Sequence, residues 1–583
     1  MNIFKQLQWF FKEEKRSYII GIISLFLVAI IGLIPPRVIG IVVDEIAQDT
    51  LTTRSLSLWL ILLFASALSQ YVLRYIWRVR IWGNAAKLER KIRSRLFNHF
   101  MKMDSPFFQK YRTGDLMAHA TNDLRGIRMV AGGGILMIAD ATSVGITTIL
   151  AMIFVVDWRL TLIAILPLPL LAVISRFLGS ALHNRFRDAQ AAFSSLNDKV
   201  QETIQGIKVL KTFGHEKEDV IEFKEETENV LQKNREVYKI DSLFDPAITL
   251  IIGFAYVLTI IVGGNLIRIE EITVGDFVTF INYIGMLIWP MLAVGRLFNI
   301  IERGSASYDR INTLLKEESS IIESSNPTET PAVGNITFSI DSFSYPEDDA
   351  IALENIHIEI EEGKTLGIVG KTGAGKTTLF KLLMREFDSY KGEIIINQTD
   401  IRNFSLDNLL SHIGYVPQDN YLFSLSILDN IRFADPTMSE DKVREIAKLA
   451  AVHEDIEDLP MGYETEVGER GVSLSGGQKQ RVSIARAMAS NPEILILDDS
   501  LSAVDAETES NILANLKKQR DNHTTIISAH RISSVMHAEE IIVLKNGKIV
   551  ERGTHDELLQ NNGWYKEMFE QQKLASQKGE ELV

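Results

Sequence analysis

The sequence predicts two domains of different fold class, an α-helical domain with six transmembrane spans followed by an α/β domain. Long apolar runs occupy the chain before about residue 305, whereas the remainder alternates between strand-like and helix-like patterns. A chain of 583 residues, 46% of them hydrophobic, also exceeds what one core usually supports. The glycine-rich residues 370–377 lie between a strand-like and a helix-like run, which predicts that the second domain is a P-loop nucleotide-binding domain.

Composition excludes some partners and sites. The formal net charge of -14 argues against nucleic acid, because a protein that binds a phosphate backbone needs a basic surface. The chain contains no cysteine, so it has neither disulfides nor thiolate metal sites.

The first domain is assigned to residues 17–315. A hydrocarbon core of about 30 Å requires roughly 20 apolar residues per helix. Runs of at least this length occur near residues 18–43, 56–81, 132–156, 160–182, 247–267 and 274–301. The lipid bilayer is therefore an expected partner of the chain.

Charge sets the orientation of these spans. Lys and Arg concentrate in the connections 83–128 and 183–245, which by the positive-inside rule are cytoplasmic, together with both termini and the second domain. Residues 1–16 combine apolar side chains with lysines, which predicts an interfacial elbow helix on the cytoplasmic side.

Two features inside the spans have a functional and a structural interpretation. A carboxylate at membrane depth, as at Asp140, is expensive enough to suggest a function, but a neighbouring helix or an interface can also satisfy it. Tyr283, Met286 and Trp289 recur every three residues on the last span. They could line an apolar substrate cavity, although ordinary helix packing is the more frequent reason for such spacing.

The polar, proline-containing residues 316–334 have the composition of a domain linker. The nucleotide-binding domain is assigned to residues 335–570, and residues 571–583 to a flexible tail.

The glycine-rich stretch fits G-x-x-x-x-G-K-[ST], the phosphate-loop pattern. Its glycines let successive N–H groups face a polyphosphate, Lys376 reaches the outer phosphates, and the hydroxyl of Thr377 is a ligand for Mg²⁺. The sequence thus predicts a site for ATP or GTP formed by Gly370, Lys371, Thr372, Gly373, Ala374, Gly375, Lys376, Thr377 and Thr378.

Two further motifs follow this loop. An apolar run ends in Asp498 and Asp499, and a buried strand that presents an aspartate at its tip is how P-loop enzymes hold Mg²⁺. Ser475, Gly477 and Gln478 open a predicted helix, whose N-terminal N–H groups form an anion site. A simple helix cap is the alternative, but the position some twenty residues before the carboxylates favours the anion site.

These motifs resemble the nucleotide-binding domain of ATP-binding-cassette (ABC) transporters. The phosphate loop, the LSGGQ signature at 474–478 and the carboxylate strand stand in the family's order. Gln418 matches the glutamine loop, and His530 matches the switch histidine. Six spans ahead of one cassette resemble a half-transporter with the ABC exporter fold, in particular one subunit of bacterial heterodimeric multidrug exporters.

The resemblance also covers the loops that join the two domains. Residues 112–118 match the first coupling helix of the exporters, and a second coupling helix is expected near residues 213–223. Residues 466–471 are similar to the exporter loop that meets these helices.

The resemblance implies that two cassettes close head to tail over two ATP molecules. Tyr345 would stack on adenine, although by sequence alone it could equally be a core tyrosine. Gln418 and Asp498 would complete the Mg²⁺ site with Thr377, and His530 would contact the γ-phosphate. The signature residues would serve the ATP of a second, homologous half-transporter.

One residue departs from the family pattern. Asp499 stands where the family has a catalytic glutamate, and its carboxylate is one methylene shorter. Because an error of about 1 Å can cost on the order of a hundredfold in rate, we expect hydrolysis at this chain's own ATP site to be impaired. Such asymmetry predicts a heterodimer whose partner provides the competent site.

The resemblance therefore implies ATP-driven export of amphipathic or lipophilic compounds across the bacterial cytoplasmic membrane. A lipid flippase half and a peptide exporter half are alternatives within transport. An ATP-gated channel or a regulatory membrane subunit is an alternative of another class, which the shortened carboxylate at Asp499 keeps open.

Overall fold

The computed structural model describes residues 2–346, 348, 350–468, 474–520 and 522–580. The chain forms two compact units. The first consists of Met1–Met101 and Thr113–Glu317, and the second of Lys102–Arg112 and Glu318–Val583. A short piece of the chain between the second and third long helices thus belongs to the unit that contains the cassette.

The first unit contains six helices that are long and apolar enough to cross a membrane, counted over the described residues. This confirms the six predicted spans. All six extend beyond their apolar windows, and their bounds are Lys15–Ala47, Thr53–Phe100, Thr113–Val156, Trp158–Gln205, Glu216–Arg268 and Val274–Leu314.

Prolines lie at two of the three breaks in these helices as the structure describes them. The first helix restarts at Ile34 with prolines in its first turn, and the fourth restarts at Leu168 after Pro167, since proline cannot donate an interior helical hydrogen bond. The resulting segments are Lys15–Gly32, Ile34–Ala47, Trp158–Ile165, Leu168–Gln205, Glu216–Asp241 and Phe244–Arg268. The third helix contains π-helical turns at His119–Asp123, Val130–Gly134 and Met152–Val156.

Two short helices, Asn2–Gln6 and Gln8–Glu13, precede the first span. Ile3, Leu7 and Phe10 follow helical spacing and are fully buried. They pack in one core cluster with residues of the second and third long helices. Part of the apolar face that the sequence assigned to a membrane interface is therefore covered by protein, whereas Trp9 is exposed.

The first and sixth long helices approach each other closely near the ends that the charge pattern predicts to lie outside the cytoplasm. A Cβ atom at Gly40 would collide with the carbonyl oxygen of Gly275, and one at Gly275 would collide with that of Gly40. Asp44 accepts hydrogen bonds from the Gly275 N–H and the Thr273 hydroxyl, both at 2.6 Å. Glycine at both positions is what allows this main-chain contact.

Short helices occur next to the two stretches that the sequence predicts as coupling helices, not at them. Residues 113–118 of the first predicted stretch form the start of the third long helix, Thr113–Val156. Ser105–Lys110 begins at a cap in which Asp104 accepts from the Phe107 N–H, and it is followed by the start of the third long helix. Between the fourth and fifth spans the short helix is Ile207–Phe213, so it ends where the sequence placed its beginning. Gly214, with φ 71°, stops this helix because the left-handed conformation favours glycine.

The cassette is built on two sheets. The strands are β1 (Ile336–Ser344), β2 (Ile351–Ile360), β3 (Thr365–Gly370), β4 (Lys391–Ile396), β5 (Thr399–Asp400), β6 (Ile413–Val416), β7 (Ile494–Asp498), β8 (Thr524–Ala529), β9 (Glu540–Lys545) and β10 (Lys548–Gly553). An antiparallel sheet has the order β2-β1-β4-β5, and a mainly parallel sheet has the order β10-β9-β3-β8-β7-β6.

Helices cover the parallel sheet and separate its strands in sequence, as parallel crossovers require. Strands β7 and β8 are buried at every position, which explains the apolar run at residues 494–497 of β7. The α-helices of the cassette are Lys376–Leu383, Leu406–Ser411, Ile427–Ile431, Glu440–Leu449, His453–Glu457, Gly476–Ala489, Ala506–Gln519, His555–Gln560 and Trp564–Glu580.

Two segments differ from the predicted linker and tail. Residues 318–334 lie on the cassette, where the Thr328 N–H donates to Asn403 O at 2.9 Å and Ala332 is fully buried. Local composition cannot reveal these contacts, because their partners are distant in sequence. Residues 571–580, which the sequence assigned to a flexible tail, continue the last helix.

Candidate nucleotide-binding site

The candidate site lies at the carboxyl ends of four adjacent parallel strands, β3, β8, β7 and β6. The phosphate loop follows β3, His530 follows β8, Asp499 follows β7, and Gln418 follows β6 after Pro417. Residues from four separate parts of the sequence therefore meet along one edge of the sheet. This edge is where open α/β sheets usually bind their ligands.

The phosphate loop has the backbone that a polyphosphate cradle needs. Gly373 and Gly375 have φ of 79° and 105°, conformations that disfavour a Cβ. The position that a Cβ would take at Gly373 has no atom within 4 Å, so space remains on this side of the loop. The helix Lys376–Leu383 begins directly after Gly375, which points its unpaired N–H groups at the loop.

Lys376 is buried beneath this loop. Its Nζ donates to Gly370 O at 2.9 Å and to Lys371 O at 3.4 Å. Burial lowers the pKa of Lys376, and the negative charges of Asp499 and Asp498 oppose this effect. An anionic ligand in the loop would favour the charged ammonium in the same way.

The carboxylate of Asp498 is held from two sides. The Ser528 hydroxyl donates to Oδ1 at 2.6 Å, and the Tyr415 hydroxyl donates to Oδ2 at 3.3 Å. Asp498 itself is only 1% exposed. Burial raises the pKa of Tyr415, and the charge of Asp498 adds to this, so the phenol remains a donor at neutral pH.

Asp499 lies among the other predicted catalytic residues. Its Oδ2 accepts from Gln418 Nε2 at 3.3 Å and lies 3.9 Å from His530 Nε2. The same nitrogen of His530 lies 3.5 Å from Lys376 Nζ. The structure thus brings the glutamine loop, the switch histidine and the phosphate-loop lysine together around one carboxylate.

The main chain at Asp499 is fixed as well. Its φ is 47°, in the left-handed region that aspartate tolerates better than most residues. The Asp499 N–H donates to Ser528 O at 3.0 Å and to Ser528 Oγ at 3.1 Å. These bonds tie the residue to the end of β8.

Tyr345 lies beside the helix that follows the phosphate loop. Its hydroxyl shares a hydrogen bond of 2.9 Å with the hydroxyl of Thr378. The ring makes edge-to-face contacts with Phe343 and Phe387, and Lys381 lies over it with Nζ 5.9 Å from the ring centre. The side chain is half-buried, which fits either interpretation that the sequence left open.

The signature residues form a separate group. Ser475 caps the helix Gly476–Ala489 in a capping box with Gln478, and Gln478 Nε2 also donates to Asp455 Oδ1 at 3.0 Å. Gln480 Oε1 accepts from the Ala503 N–H at 3.1 Å. Among the described residues, no hydrogen bond or ion pair joins Ser475, Gly477 or Gln478 to the phosphate loop.

Several of the residues that hold these groups in place were not predicted from the sequence. Ser528 holds the Asp498 carboxylate and the main chain of Asp499, while Asp455 and Gln480 hold the signature helix. Of these, only Ser528 carried a sequence signal, since it lies two residues before the predicted switch histidine in the same motif. Residues 469–471 of the predicted coupling-contact loop lie outside the described residues.

Within the first unit, Asp140, Tyr283 and Trp289 differ in their hydrogen bonds and in their exposure. Trp289 Nε1 donates to Asp140 Oδ2 at 3.0 Å. Tyr283 is 1% exposed and its hydroxyl donates to Leu33 O at 3.1 Å, whereas Trp289 is 45% exposed. Tyr283 therefore has the packing role that its spacing favoured.

Comparison with known proteins identifies the family. The protein-family model described as "ABC transporter transmembrane region" matches residues 18–291, and the family model described as "ABC transporter" matches residues 353–502. The "Multidrug resistance-like ATP-binding protein MdlA" of Buchnera aphidicola subsp. Schizaphis graminum is 43% identical over 99% of both chains. This chain belongs to the ABC transporter family.

Two further comparisons support the ABC transporter assignment. The "Probable multidrug resistance ABC transporter ATP-binding/permease protein YheI" of Bacillus subtilis is 43% identical over 98% of both chains. A solved structure described as "a bacterial Atm1-family ABC exporter with ATP bound" superposes with a TM-score of 0.78 at 26% identity, covering 96% of this chain and 99% of that one. The chain is an ATPase-type transporter subunit with one membrane region and one ATP-binding cassette.

Proposed function

We propose that this chain is one half of an ATP-driven exporter of amphipathic drugs or lipophilic compounds in the bacterial cytoplasmic membrane, with its cassette in the cytoplasm. The names of its relatives support the multidrug assignment, and the six apolar helices support a multi-pass protein. The observation that carries the proposal is the meeting of Lys376, Gln418, Asp499 and His530 along one sheet edge.

ATP would occupy the phosphate loop, with Tyr345 against the adenine. Thr377, Gln418 and Asp498 provide a hydroxyl, an amide oxygen and a carboxylate, which is the oxygen donor set that Mg²⁺ prefers. The bound ion neutralises phosphate charge when ATP is present. Lys376 and His530 lie within 3.5 Å of each other, so both can reach the outer phosphates together.

Hydrolysis at this site would be slow because of the length of Asp499. A glutamate would carry its carboxylate about one bond further from the strand. A backbone shift could make up for the missing methylene, but the two hydrogen bonds from the Asp499 N–H to Ser528 restrain that shift. The shorter side chain also directs Oδ2 to Gln418, at 3.3 Å. Misplacement on this scale costs roughly a hundredfold in rate.

The competent site would then be the one that this chain completes for a homologous partner. Ser475, Gly477 and Gln478 keep the signature sequence, and Ser475 is exposed at the helix N-terminus, where it can meet an anion. Their separation from the chain's own phosphate loop agrees with a signature that serves another subunit. We therefore propose a heterodimer with two unequal ATP sites.

Steady-state ATPase activity of the co-purified pair tests this proposal. We expect Asp499→Asn to leave most turnover in place, while replacement of the partner's catalytic glutamate by glutamine removes nearly all of it. Equal losses from the two substitutions would show that the sites are equivalent and would overturn the asymmetric scheme.

A gain of function provides the complementary test. In a pair whose partner carries the inactivating glutamate-to-glutamine change, Asp499→Glu should raise residual turnover by up to about a hundredfold, because it restores the missing methylene. Asp499→Asn in the same background is the matched control and should give no increase. Failure of Asp499→Glu to increase turnover would place the defect elsewhere in the site.

The short carboxylate also favours a second function, an ATP-gated channel or regulatory subunit in which binding without efficient hydrolysis controls a partner. Vesicles containing the pair distinguish the two functions. Uphill accumulation of a dye that stops when ATP is removed supports export. ATP-dependent conductance without uphill movement supports the channel.

A further inference from the structure

Gln572, in the last helix, binds the main chain of the switch segment. Its Nε2 donates to His530 O at 2.8 Å, and its Oε1 accepts from the Ile532 N–H at 2.9 Å. The carboxamide thus bonds to the residues on both sides of Arg531, in the way that a neighbouring strand would. A pair of bonds fixes both the position and the orientation of this short segment.

The helix that carries Gln572 is anchored in the cassette core. Tyr565 is fully buried and its hydroxyl lies 2.7 Å from His555 Nδ1. The His555 ring also packs against the ring of Phe569, with 5.3 Å between the ring centroids. Met568 and Phe569 lie on a core cluster that includes Ile532. The first turns of the helix are therefore fixed, and Gln572 follows directly after them.

The switch segment connects this helix to two functional loops. The His530 ring lies 3.5 Å from Lys376 Nζ and 3.9 Å from Asp499 Oδ2. Arg531 donates to Val504 O at 3.0 Å, in the loop that follows the carboxylate strand. A shift of the main chain at residues 530–532 would move both side chains at once.

We propose that Gln572 is a positioning residue for the switch histidine, which makes the C-terminal helix part of the apparatus that senses the γ-phosphate. This inference rests on the γ-phosphate role proposed above for His530. Gln572 holds the His530 carbonyl and the Ile532 N–H, and so sets the distance of the imidazole from Lys376 and Asp499. ATP differs from ADP only at the γ-phosphate, so loss of this support reduces the preference for ATP.

The test is the ratio of ATP to ADP affinity of the full-length chain in lipid nanodiscs, measured with Mg²⁺ by displacement of a fluorescent ATP analogue. Gln572→Ala should lower this ratio roughly fivefold to tenfold, the usual effect of losing one or two net hydrogen bonds. Gln572→Glu keeps the side-chain length and the acceptor for Ile532. It should shift the ratio in the same direction, because its carboxylate opposes the His530 carbonyl.

Gln571→Ala is the matched control. Gln571 is the preceding residue on the same helix and is exposed, and its Nε2 donates to Glu567 Oε1 of that helix at 3.5 Å. This change should leave the ratio as it is. Thermal unfolding of each variant confirms that the cassette is folded, and an unchanged ratio in folded Gln572→Ala and Gln572→Glu proteins would overturn the inference.

A double substitution separates positioning from independent effects. If Gln572 acts through the histidine, Gln572→Ala should cause no further loss in a His530→Ala background. An equal loss in both backgrounds would show that Gln572 acts by another route, and would overturn the inference while leaving the ATP site as proposed. An unchanged ratio in His530→Ala alone would instead contradict the proposed role of His530 itself.

Discussion

Asp499 shows how much of a single residue's role depends on its surroundings. Its identity was readable from the sequence, and so was the missing methylene. The hydrogen bonds that hold it come from Ser528 and Gln418, 29 and 81 residues away along the chain. Such contacts depend on the order of strands in the sheet, which no local pattern specifies. The sequence thus predicted which residues form the candidate site but not which residues hold Asp499 in place.

Lys376 offers a test of ATP binding at this chain's own site. Its Nζ is held by two loop carbonyls, and in the proposed site it would bring a buried positive charge to the phosphates. Lys376→Ala removes a charge-assisted contact of about 1.5–3 kcal/mol, so the Kd for ATP should rise roughly tenfold to a hundredfold. Turnover at the partner's competent site should persist in part.

Nucleotide binding and ATPase activity of the same preparation check both halves of this expectation. Lys448→Ala is the control, because Lys448 is an exposed lysine on the helix Glu440–Leu449 of the same cassette. An unaltered Kd for Lys376→Ala would contradict the assigned phosphate loop. Complete loss of turnover would show that ATP at this site is essential for the two cassettes to close.

At the scale of helices, the contact between the first and sixth spans depends on two glycines. Because a Cβ at Gly40 would meet the main chain of Gly275, Gly40→Ala must separate the helices. Overpacking of this kind usually costs about 1–3 kcal/mol, so the melting temperature of the purified protein should fall. Gly253→Ala, on the fifth helix, introduces the same methyl group where no atom lies within 4 Å.

Thermal unfolding of the two variants in the same detergent gives the comparison. The fall for Gly40→Ala should clearly exceed any change for Gly253→Ala, which gains helix propensity without a collision. Equal melting temperatures would mean that the two helices can separate at little cost. Loss of the Asp44 hydrogen bond to the Gly275 N–H would accompany the separation.

Sequence predicted the elements unequally well. The six spans were predictable because a bilayer demands length and apolarity, and both can be counted. The short helix Ile207–Phe213 was misplaced by several residues, because a polar helix outside the membrane needs neither a minimum length nor a continuous apolar run. The cassette contacts of residues 318–334 depend on partners that are distant in sequence, which composition does not encode.

For the molecule as a whole, the two groups of nucleotide-binding residues have different consequences. The phosphate loop, Asp499 and His530 form one continuous group along the parallel sheet. The signature helix is held separately, by Asp455 and by the contact of Gln480 with Ala503. If the chain works in a head-to-tail pair, the first group retains ATP and the second completes the partner's site. The chain then contributes more to the hydrolysis of the ATP bound by its partner than to the hydrolysis of its own ATP.

A cross-link tests this arrangement directly, since the chain contains no cysteine. Ser475 is exposed at the signature, so Ser475→Cys should form a disulfide with a single cysteine placed in the phosphate loop of an otherwise cysteine-free partner. A disulfide requires Cα atoms within roughly 7 Å, so the bond should form in Mg²⁺-ATP, when the cassettes close, and much less without nucleotide.

Lys448→Cys, at an exposed position of the same cassette, controls for random collision and should not cross-link under either condition. A second experiment tests for a homodimer. This chain, carrying both Ser475→Cys and a phosphate-loop cysteine, is oxidised without the partner, and a disulfide-linked homodimer appears on the gel at a mass distinct from that of the mixed pair. If that product forms as readily as the mixed one, two copies of this chain pair with each other, and both sites then contain Asp499. Such a pair should hydrolyse ATP slowly at both sites, which the ATPase rate of the chain alone would show.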